Sequence, residues 1–277
     1  MNTIAEKLAR RMEAANSLLC VGLDPDFEKL PERFRDQHDP QLRFGKWIVD
    51  QTAEYAAAIK MNAAFYEARG AEGLAGLERT IEYVREQYPE LVTISDAKRA
   101  DIGNTNKGYV EAIFDRMDFD AVTVHPYLGR EALEPFLSRH DKMCIVLCRT
   151  SNPGAGEFQD LDVGGKSLWL TVAERVSSAW DVDGSCALVV GATYPEEMRR
   201  IREAAPRTTF LVPGIGAQGG DVNAVVEAGL DQQGAGLLLS ASRSILFGDE
   251  PAAAARSHRD EIRNVVKRVR EAVHAAR

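Results

Sequence analysis

Eight short apolar runs recur along this chain, and each is followed by polar residues or by Gly and Pro. Each run is nearly continuous in β-branched and aliphatic residues, as in strands that are buried on both faces. Segments with helical spacing and good helix formers lie between the runs. The runs cover residues 18–24, 57–63, 91–98, 121–128, 143–150, 186–193, 209–216 and 236–243.

Eight buried strands that alternate with helices predict an α/β fold in which a parallel sheet closes into a single (β/α)8 TIM barrel. The alternative is an open doubly wound sheet, which usually has a G-x-G-x-x-G turn after its first strand. Here the first run is followed by DPDFEKLP, which is not a phosphate-binding loop. We therefore predict the barrel, with residues 1–277 as one domain because no linker interrupts the pattern.

The connection after the fifth run, about residues 151–165, is long and rich in Gly. It lacks apolar periodicity, and long loops in compact domains are usually functional. We therefore expect a mobile, functional loop at this position.

The formal net charge of −8 bears on the possible partners. General nucleic-acid binding needs a basic face, so we expect no nucleic-acid partner, although a local cluster of donors is enough to bind a small anion. No apolar run approaches the length of a membrane-spanning helix, so we expect no membrane association. Ile4, Leu8 and Met12 have the spacing of an amphipathic helix, and the N-terminal segment lacks the apolar region of a signal peptide.

The cysteines indicate a compartment. All four lie in apolar runs, without a C-x-x-C pair or a nearby pair of histidines, at Cys20, Cys144, Cys148 and Cys186. This pattern favours reduced structural thiols in a cytoplasmic protein.

Polar side chains follow the apolar runs, at the end of the barrel where this fold has its active site. The candidates are Asp24, Lys60, Asn62, Asp96, Lys98, His125, Thr150, Ser151, Ser242 and Arg243. The seventh run ends in PGIGAQGGD, a Gly-rich turn that opens onto a helix, and such a helix N-terminus suits a phosphate group. Because Arg243 ends the eighth run, we predict a phosphate site there. The alternative is that the glycines serve tight turns and that Arg243 is a surface charge.

The third run ends in a concentration of charge, SDAKRAD at residues 95–101. Asp96 and Lys98 are two apart on a strand, so their side chains share a face that Lys60 on the neighbouring strand can approach. Flanked by carboxylates, Lys98 should stay protonated and serve as a proton donor and a stabiliser of negative charge. The alternative is a structural ion-pair network. Asp101 should point outward over the rim, away from the barrel axis.

Six motifs resemble the orotidine 5′-phosphate decarboxylase family, in its longer bacterial branch. In chain order they are VGLDPD, IKMNAAFYE, DAKRADIGNT, RTSNPGA, VPGIGAQGGD and SASRSI. The resemblance implies a barrel that works as a homodimer without cofactor or metal. It also implies the conversion of orotidine 5′-monophosphate (OMP) to uridine 5′-monophosphate (UMP) and carbon dioxide, the last step of de novo UMP synthesis.

The resemblance implies roles for the charged residues. Lys98 would donate a proton to C6 of the pyrimidine, and Asp96 would lie next to the departing carboxylate. Lys60 would complete the charge network and, with Asp24, hold the ribose hydroxyls. Asp101 would act in the site of the partner subunit, so that the homodimer has shared active sites.

The family's motifs imply further substrate-binding residues: Ile102, Thr105, Ser151, Pro213, Gln218 and Arg243. The first two of these would reach the partner's site, the serine would read the pyrimidine edge, and the proline would line the pocket. The glutamine and the arginine would hold the phosphate, and the loop after the serine would form part of a closing lid. Many family members have glycine directly before this arginine, where the chain has Ser242.

Two alternatives remain at this point. Magnesium-dependent sugar-phosphate lyases or decarboxylases of the same suprafamily share D-x-K-x-x-D, but they typically carry a glutamate near the lysine of the second strand. This chain has AAIKMNA there, and Glu67 lies beyond it. Carboxylates interleaved with lysine also make a poor set of metal ligands. A catalytically inactive barrel that acts as a binding module would have no reason to keep so costly a charge cluster.

Overall fold

The eight apolar runs form eight parallel strands of a closed barrel in the computed structural model, which describes residues 3–215 and 220–275. Each strand pairs with the next along the chain, and the eighth pairs with the first. This confirms the predicted (β/α)8 barrel. The strands are β1 Leu19–Leu23, β2 Ala58–Asn62, β3 Val92–Arg99, β4 Ala121–Val124, β5 Met143–Arg149, β6 Cys186–Val190, β7 Thr209–Pro213 and β8 Leu237–Ala241.

Helices connect the strands and surround the barrel. They are α1 Ile4–Ala15, α2 Glu32–Arg35, α3 Pro40–Thr52, α4 Ala63–Glu67, α5 Gly70–Gln87, α6 Gly103–Val110, α7 Gly129–Leu137, α8 Gly156–Gln159, α9 Leu168–Arg175, α10 Pro195–Ala204, α11 Val222–Gly229, α12 Arg243–Leu246 and α13 Pro251–Ala275. The connection after β5, expected to be a long loop, contains the short helix α8.

A small apolar cluster fills the barrel interior, while a larger one lies between the sheet and the helices. Every strand contributes to the interior cluster through Cys20, Ala58, Val92, Ile94, Ala121, Met143, Ile145, Ala187, Val189, Leu211 and Leu238. Successive side chains of a strand point to opposite faces, so Lys60 faces inward two residues after Ala58. The interior is therefore apolar at its base and charged nearer the carboxyl ends of the strands.

The helix α1 closes the amino end of the barrel. Ile4 and Leu8 are each 3% exposed and belong to the interior cluster. The Thr3 hydroxyl accepts a hydrogen bond from the Glu6 N–H, and the Glu6 carboxylate accepts one from the Thr3 N–H, so both stabilise the first turn. The helix ends at Asn16, whose φ of 46° is a left-handed conformation that asparagine tolerates. The amphipathic helix predicted for this segment is confirmed.

Replacing Leu8 by alanine should lower the free energy of unfolding by about 3 kcal/mol, because it leaves a cavity beneath the barrel interior. Urea titration of the two proteins measures the difference. Arg10→Ala is the matched control on the exposed face of the same helix, and it should change stability by less than about 0.5 kcal/mol. Equal effects of the two substitutions would contradict the role of α1 in closing the barrel.

Candidate active site

A cavity of about 440 Å³ opens at the carboxyl ends of strands β1, β2, β3, β7 and β8. Seven of the candidates named from the sequence line it: Asp24, Lys60, Asn62, Asp96, Pro213, Ser242 and Arg243. The cavity therefore joins the predicted charge cluster to the predicted phosphate site in a single space.

A chain of ion pairs runs along the floor of this cavity and ends at Lys98, which does not itself line the cavity. The Lys60 ammonium lies 3.0 Å from Asp96 Oδ2 and 3.7 Å from Asp24 Oδ1. The Lys98 ammonium lies 2.6 Å from Asp96 Oδ1. The side chain of Lys60 is 7% exposed and that of Asp96 is 11% exposed, whereas the Lys98 side chain is 49% exposed at the edge of the site. Asp96 therefore holds a buried lysine on one oxygen and an accessible lysine on the other.

Burial and charge compete over the protonation of these groups. Burial alone would lower the pKa of Lys60, but the charges of Asp24 and Asp96 outweigh burial and hold that pKa above its usual value. Burial alone would raise the pKa of Asp96, but the ammonium groups of Lys60 and Lys98 outweigh it and hold that pKa well below its usual range. Lys60 and Asp96 are therefore both charged at neutral pH.

The backbone at Lys98 is irregular. Strand β3 pairs with β4 regularly up to Ser95 and Val122, and pairing resumes only at Arg99 and Val124. Lys98 itself has a φ of 47°, in the left-handed region that an L residue rarely adopts. Bulges of this kind re-aim side chains next to active sites. The prediction that the two charged side chains meet is confirmed, but this bulge, not simple strand alternation, brings them together.

The other end of the cavity has features of an anion site. Arg243 is exposed and begins α12. Gly214, with a φ of 100°, lines the same cavity on the turn after the neighbouring strand β7. A Cβ on Gly22 would lie 2.8 Å from the Ser242 Cβ, so the glycine at 22 gives this serine its space. Gln218, predicted to hold phosphate, lies outside the described residues.

Two buried polar atoms in the wall of the cavity have no hydrogen-bond partner among the described residues. They are Asp24 Oδ1 and Ser242 Oγ, and both residues line the cavity. Buried polar atoms in native proteins are nearly always paired. These two atoms are therefore suited to hydrogen bonds with hydroxyl or oxyanion groups of a ligand.

Three predicted residues lie away from the cavity. Asp101, Ile102 and Thr105 follow β3 around the start of α6, and none of them lines the cavity. The Asp101 carboxylate accepts a hydrogen bond from the Ile102 N–H, and the Asp101 N–H donates to the Asn106 side chain. Neither Lys60 nor Lys98 forms an ion pair with Asp101 within the described chain.

Ser151 lies on the loop after β5 and also does not line the cavity. It packs against the end of β6, where a Cβ on Gly191 would come within 2.9 Å of the Ser151 Cβ. The Gln159 side chain accepts a hydrogen bond from the Thr150 N–H at 2.9 Å and donates one to the Thr150 hydroxyl at 2.8 Å. The loop is thus tied back to Thr150, the residue before the serine.

Some lining residues carry no signal in the strand pattern. Asp26 and Lys29 come from the connection after β1 and form an ion pair of 2.7 Å, while Phe65 and Phe247 supply apolar walls. They lie on loops and short helices that fold back over the mouth, so periodicity does not mark them. The sequence feature that could have indicated Lys29 is the motif DPDFEK, which begins at the end of the first run.

Residues left unassigned by the sequence have local roles. The Asn62 side chain accepts a hydrogen bond from the Ala64 N–H and caps α4. Glu67 forms an ion pair with Arg99, so this carboxylate is engaged beyond the end of β2. The His125 N–H donates to the Arg99 carbonyl.

Within the residues that the structure describes, no cluster of three or more His, Cys, Asp or Glu side chains is arranged to hold a metal ion. None of the helices in this part of the chain combines the length and the apolar character needed to cross a membrane.

Comparison with known proteins adds to this geometry. A family model described as "Orotidine 5'-phosphate decarboxylase / HUMPS family" matches residues 17–258. The orotidine 5′-phosphate decarboxylase of Cellvibrio japonicus (strain Ueda107) is 47% identical over 257 residues, which are 91% of this chain and 93% of that relative. The same enzyme of Thermomicrobium roseum is 45% identical over 274 residues, which are 97% and 96% of the two chains. Among solved structures, the OMP decarboxylase of Leishmania donovani has a TM-score of 0.86 and 39% identity, covering 96% of this chain and 99% of that one.

The ion pairs of Lys60 predict how stability depends on pH. Lys60→Met removes the charge and leaves two carboxylates without their shared partner, so the free energy of unfolding at pH 7 should fall by about 3 kcal/mol. Because the folded-state pKa of Asp96 is depressed, its contribution is present above its ordinary pKa of 3.8 and is lost as pH falls below it.

The stability difference between parent and Lys60→Met should therefore shrink between pH 7 and pH 3, as measured by urea unfolding at each pH. Lys267→Met, which removes a lysine that is 75% exposed, is the control. It should have a small effect at both pH values. A difference for Lys60→Met that is the same at both pH values would contradict the assigned charge pairing.

Proposed function

Because this chain belongs to the orotidine 5′-phosphate decarboxylase / HUMPS family, we propose that it converts OMP to UMP and carbon dioxide in UMP synthesis. The observation that carries this proposal is the Lys60–Asp96 ion pair at the floor of a cavity whose lining also includes Arg243. Lys98 extends this chain of charges from Asp96 at the edge of the cavity. OMP carries a dianionic phosphate and a reacting carboxylate, and this cavity offers cationic side chains to both groups.

The charge cluster suits decarboxylation without an electron sink. When the bond between C6 and the carboxylate carbon breaks, its electron pair stays on C6 and carbon dioxide leaves. The Lys98 ammonium stabilises this negative charge and then transfers a proton to C6, so that UMP forms and the lysine amine regains a proton from water. Asp96, fixed between two ammonium groups, lies beside the carboxylate of the substrate. The repulsion between these two negative charges destabilises the bound substrate more than the transition state.

Lys60 has a positioning role in this mechanism. It is buried and paired on both sides, so it holds Asp96 in place and keeps it ionised rather than reaching the reacting carbon. We propose that Lys60 and Asp24 also bind the ribose hydroxyls. This is supported by Asp24 Oδ1, which is 3.7 Å from the Lys60 ammonium and accepts no hydrogen bond from the described residues. The reaction needs neither metal nor cofactor, since the charges of the side chains themselves stabilise the carbanion.

The remaining assignments concern the phosphate and the base. We propose that Arg243 and Gln218 bind the phosphate and that Pro213 lines the pocket. Arg243 and Pro213 line the same cavity at the ends of the neighbouring strands β8 and β7, which supports this arrangement. Ser151 reads the pyrimidine edge when the loop that carries it moves over the mouth, and the bonds from Gln159 to Thr150 hold that loop as a unit.

The two alternative functions have less support. A magnesium-dependent lyase would use a carboxylate beside the lysine of β2, but Glu67 is paired with Arg99. The curated relatives at 43–47% identity that match most of this chain carry the decarboxylase name. An inactive barrel would not retain a buried lysine between two carboxylates, because this arrangement is costly without a function.

We propose further that the protein is a homodimer with shared active sites. Asp101 makes no ion pair with the charge cluster of its own chain among the described residues, which leaves it available to a partner. Large apolar side chains are exposed next to it: Ile102 is 62% exposed and Tyr127 is 85% exposed. They follow the neighbouring strands β3 and β4, so both lie at the carboxyl end of the barrel. Burying these side chains against a second copy would bring Asp101, Ile102 and Thr105 to the partner's cavity.

We propose that residues 1–277 form one domain, because α13 packs on α3 and β1 at the outside of the barrel. We also propose a cytoplasmic location. All four cysteines are buried free thiols, as expected in a reducing compartment.

The first experiment is a spectrophotometric assay for loss of OMP in buffer that contains EDTA. The parent protein should turn over, and Lys98→Ala should reduce kcat by about a thousandfold or more, because the largest interaction of Lys98 exists only after charge develops on C6. Binding of UMP should stay within about threefold. Lys267→Ala, which removes an exposed lysine far from the cavity, is the control and should keep full activity. Turnover that requires added magnesium would favour the lyase instead.

Subunit mixing tests the shared site. Lys98→Ala and Asp101→Ala should each be nearly inactive, and mixing them under conditions that exchange subunits should restore about a quarter of the parent activity. This value follows because half of the dimers are mixed and each mixed dimer has one intact site of two. If subunit exchange is demonstrated and activity stays absent, Asp101 acts within its own chain.

A further inference from the structure

Thr123 on β4 connects the two catalytic side chains of β3. Its hydroxyl donates a hydrogen bond to Asp96 Oδ1 at 3.0 Å, on the same oxygen that binds the Lys98 ammonium. The same hydroxyl accepts a hydrogen bond from the backbone N–H of Lys98 at 2.9 Å. A threonine hydroxyl has one proton to donate, and here that proton is committed to the carboxylate.

The strand pairing explains why a side chain takes this position. Ser95 pairs with Val122 and Arg99 pairs with Val124, so β3 advances four residues while β4 advances two. Thr123 is the single residue of β4 opposite the bulged segment 96–98. The Lys98 N–H points into this irregular stretch, and the Thr123 side chain supplies the acceptor that it needs.

The conformation of Lys98 makes this contact important. A φ of 47° is unfavourable for a residue with a Cβ, and such strain persists only where the surroundings hold it. Thr123 is 1% exposed and lies in the barrel wall, so its position is fixed by packing. Its hydroxyl is the contact that joins the strained backbone to the carboxylate on which the Lys98 ammonium rests.

We propose that Thr123 is a positioning residue for the proton transfer, which sets the distance and direction of the Lys98 ammonium relative to C6 of the pyrimidine. This inference rests on the proposed decarboxylase function. Thr123 does not line the substrate cavity, so its effect passes through Asp96 and Lys98 and not through substrate binding.

Two pairs of variants separate the hydroxyl from packing. The first pair is the parent protein and Thr123→Val, whose side chains have the same branched shape and differ in the hydroxyl. The second pair is Thr123→Ser and Thr123→Ala, whose smaller side chains also differ in the hydroxyl. In each pair, loss of the hydroxyl should reduce kcat about ten- to a hundredfold, because a buried donor and a carboxylate lose their partner. The KM for OMP and the dissociation constant for UMP should change by less than about threefold. Thr123→Ser should keep at least about a third of the parent kcat.

A second readout follows the proton alone. In D2O, the reverse of the protonation step exchanges the C6 hydrogen of UMP for deuterium. NMR measures the rate of this exchange, and UMP lacks the carboxylate that OMP carries at C6. The exchange rate should fall by a factor similar to kcat in both hydroxyl-free variants. A purely structural role would lower the thermal midpoint without this matched loss.

The outcomes are distinguishable. If the parent does not decarboxylate OMP, the proposed function fails. If the parent is active but Thr123→Val and Thr123→Ala keep both rates, or lose affinity for OMP and UMP instead of kcat, Thr123 has no positioning role. Should Thr123→Val fail to fold, the pair Thr123→Ser and Thr123→Ala still decides, because these two differ in the hydroxyl and neither adds volume to the barrel wall. Equal kcat and equal exchange rates within that pair overturn the proposal, and a loss of both rates in Thr123→Ala alone supports it.

Discussion

A lysine ammonium buried between two carboxylates is the interaction on which the active end of this barrel depends. Lys60 points into an interior that is otherwise apolar at its base, and its charge is held there by Asp24 on one side and Asp96 on the other. These three residues come from the ends of β1, β2 and β3, so the ion pairs also fix the relative positions of three strand ends. A buried charge without partners would be strongly destabilising, and each carboxylate therefore has a structural role besides the chemical one that we propose.

The sequence is sufficient to predict the barrel and most of its charged floor. Strands buried on both faces require nearly continuous apolar runs, and the polar residue that ends each run must lie at the carboxyl end of the barrel. Lys60, Asp96 and Arg243 follow from this rule alone, and the structure places all three in one cavity. The rule needs only the order of strands and helices along the chain, and local sequence patterns predict that order.

The irregular features of the site were not predictable in this way. The bulge in β3 depends on how two strands pair over several residues, and no local pattern in SDAKRAD indicates where the pairing with β4 shifts. Thr123 lies in AVTV, where a threonine is an ordinary strand former, so its bonds to two residues of β3 leave no trace in the sequence. Lys29 and Phe247 reach the cavity from connections whose path depends on tertiary packing.

Because α1 closes one end of the barrel, substrate and products can enter and leave only from the other end. With Ile4 and Leu8 packed under a filled interior, the described residues leave the carboxyl end as the mouth by which the floor of the cavity meets solvent. In the proposed mechanism, nucleotide entry, nucleotide release, escape of carbon dioxide and re-protonation of Lys98 all use this opening. A segment that covers the mouth would separate these events in time, because it would keep bulk water from the carbanion while closed and release the products once open.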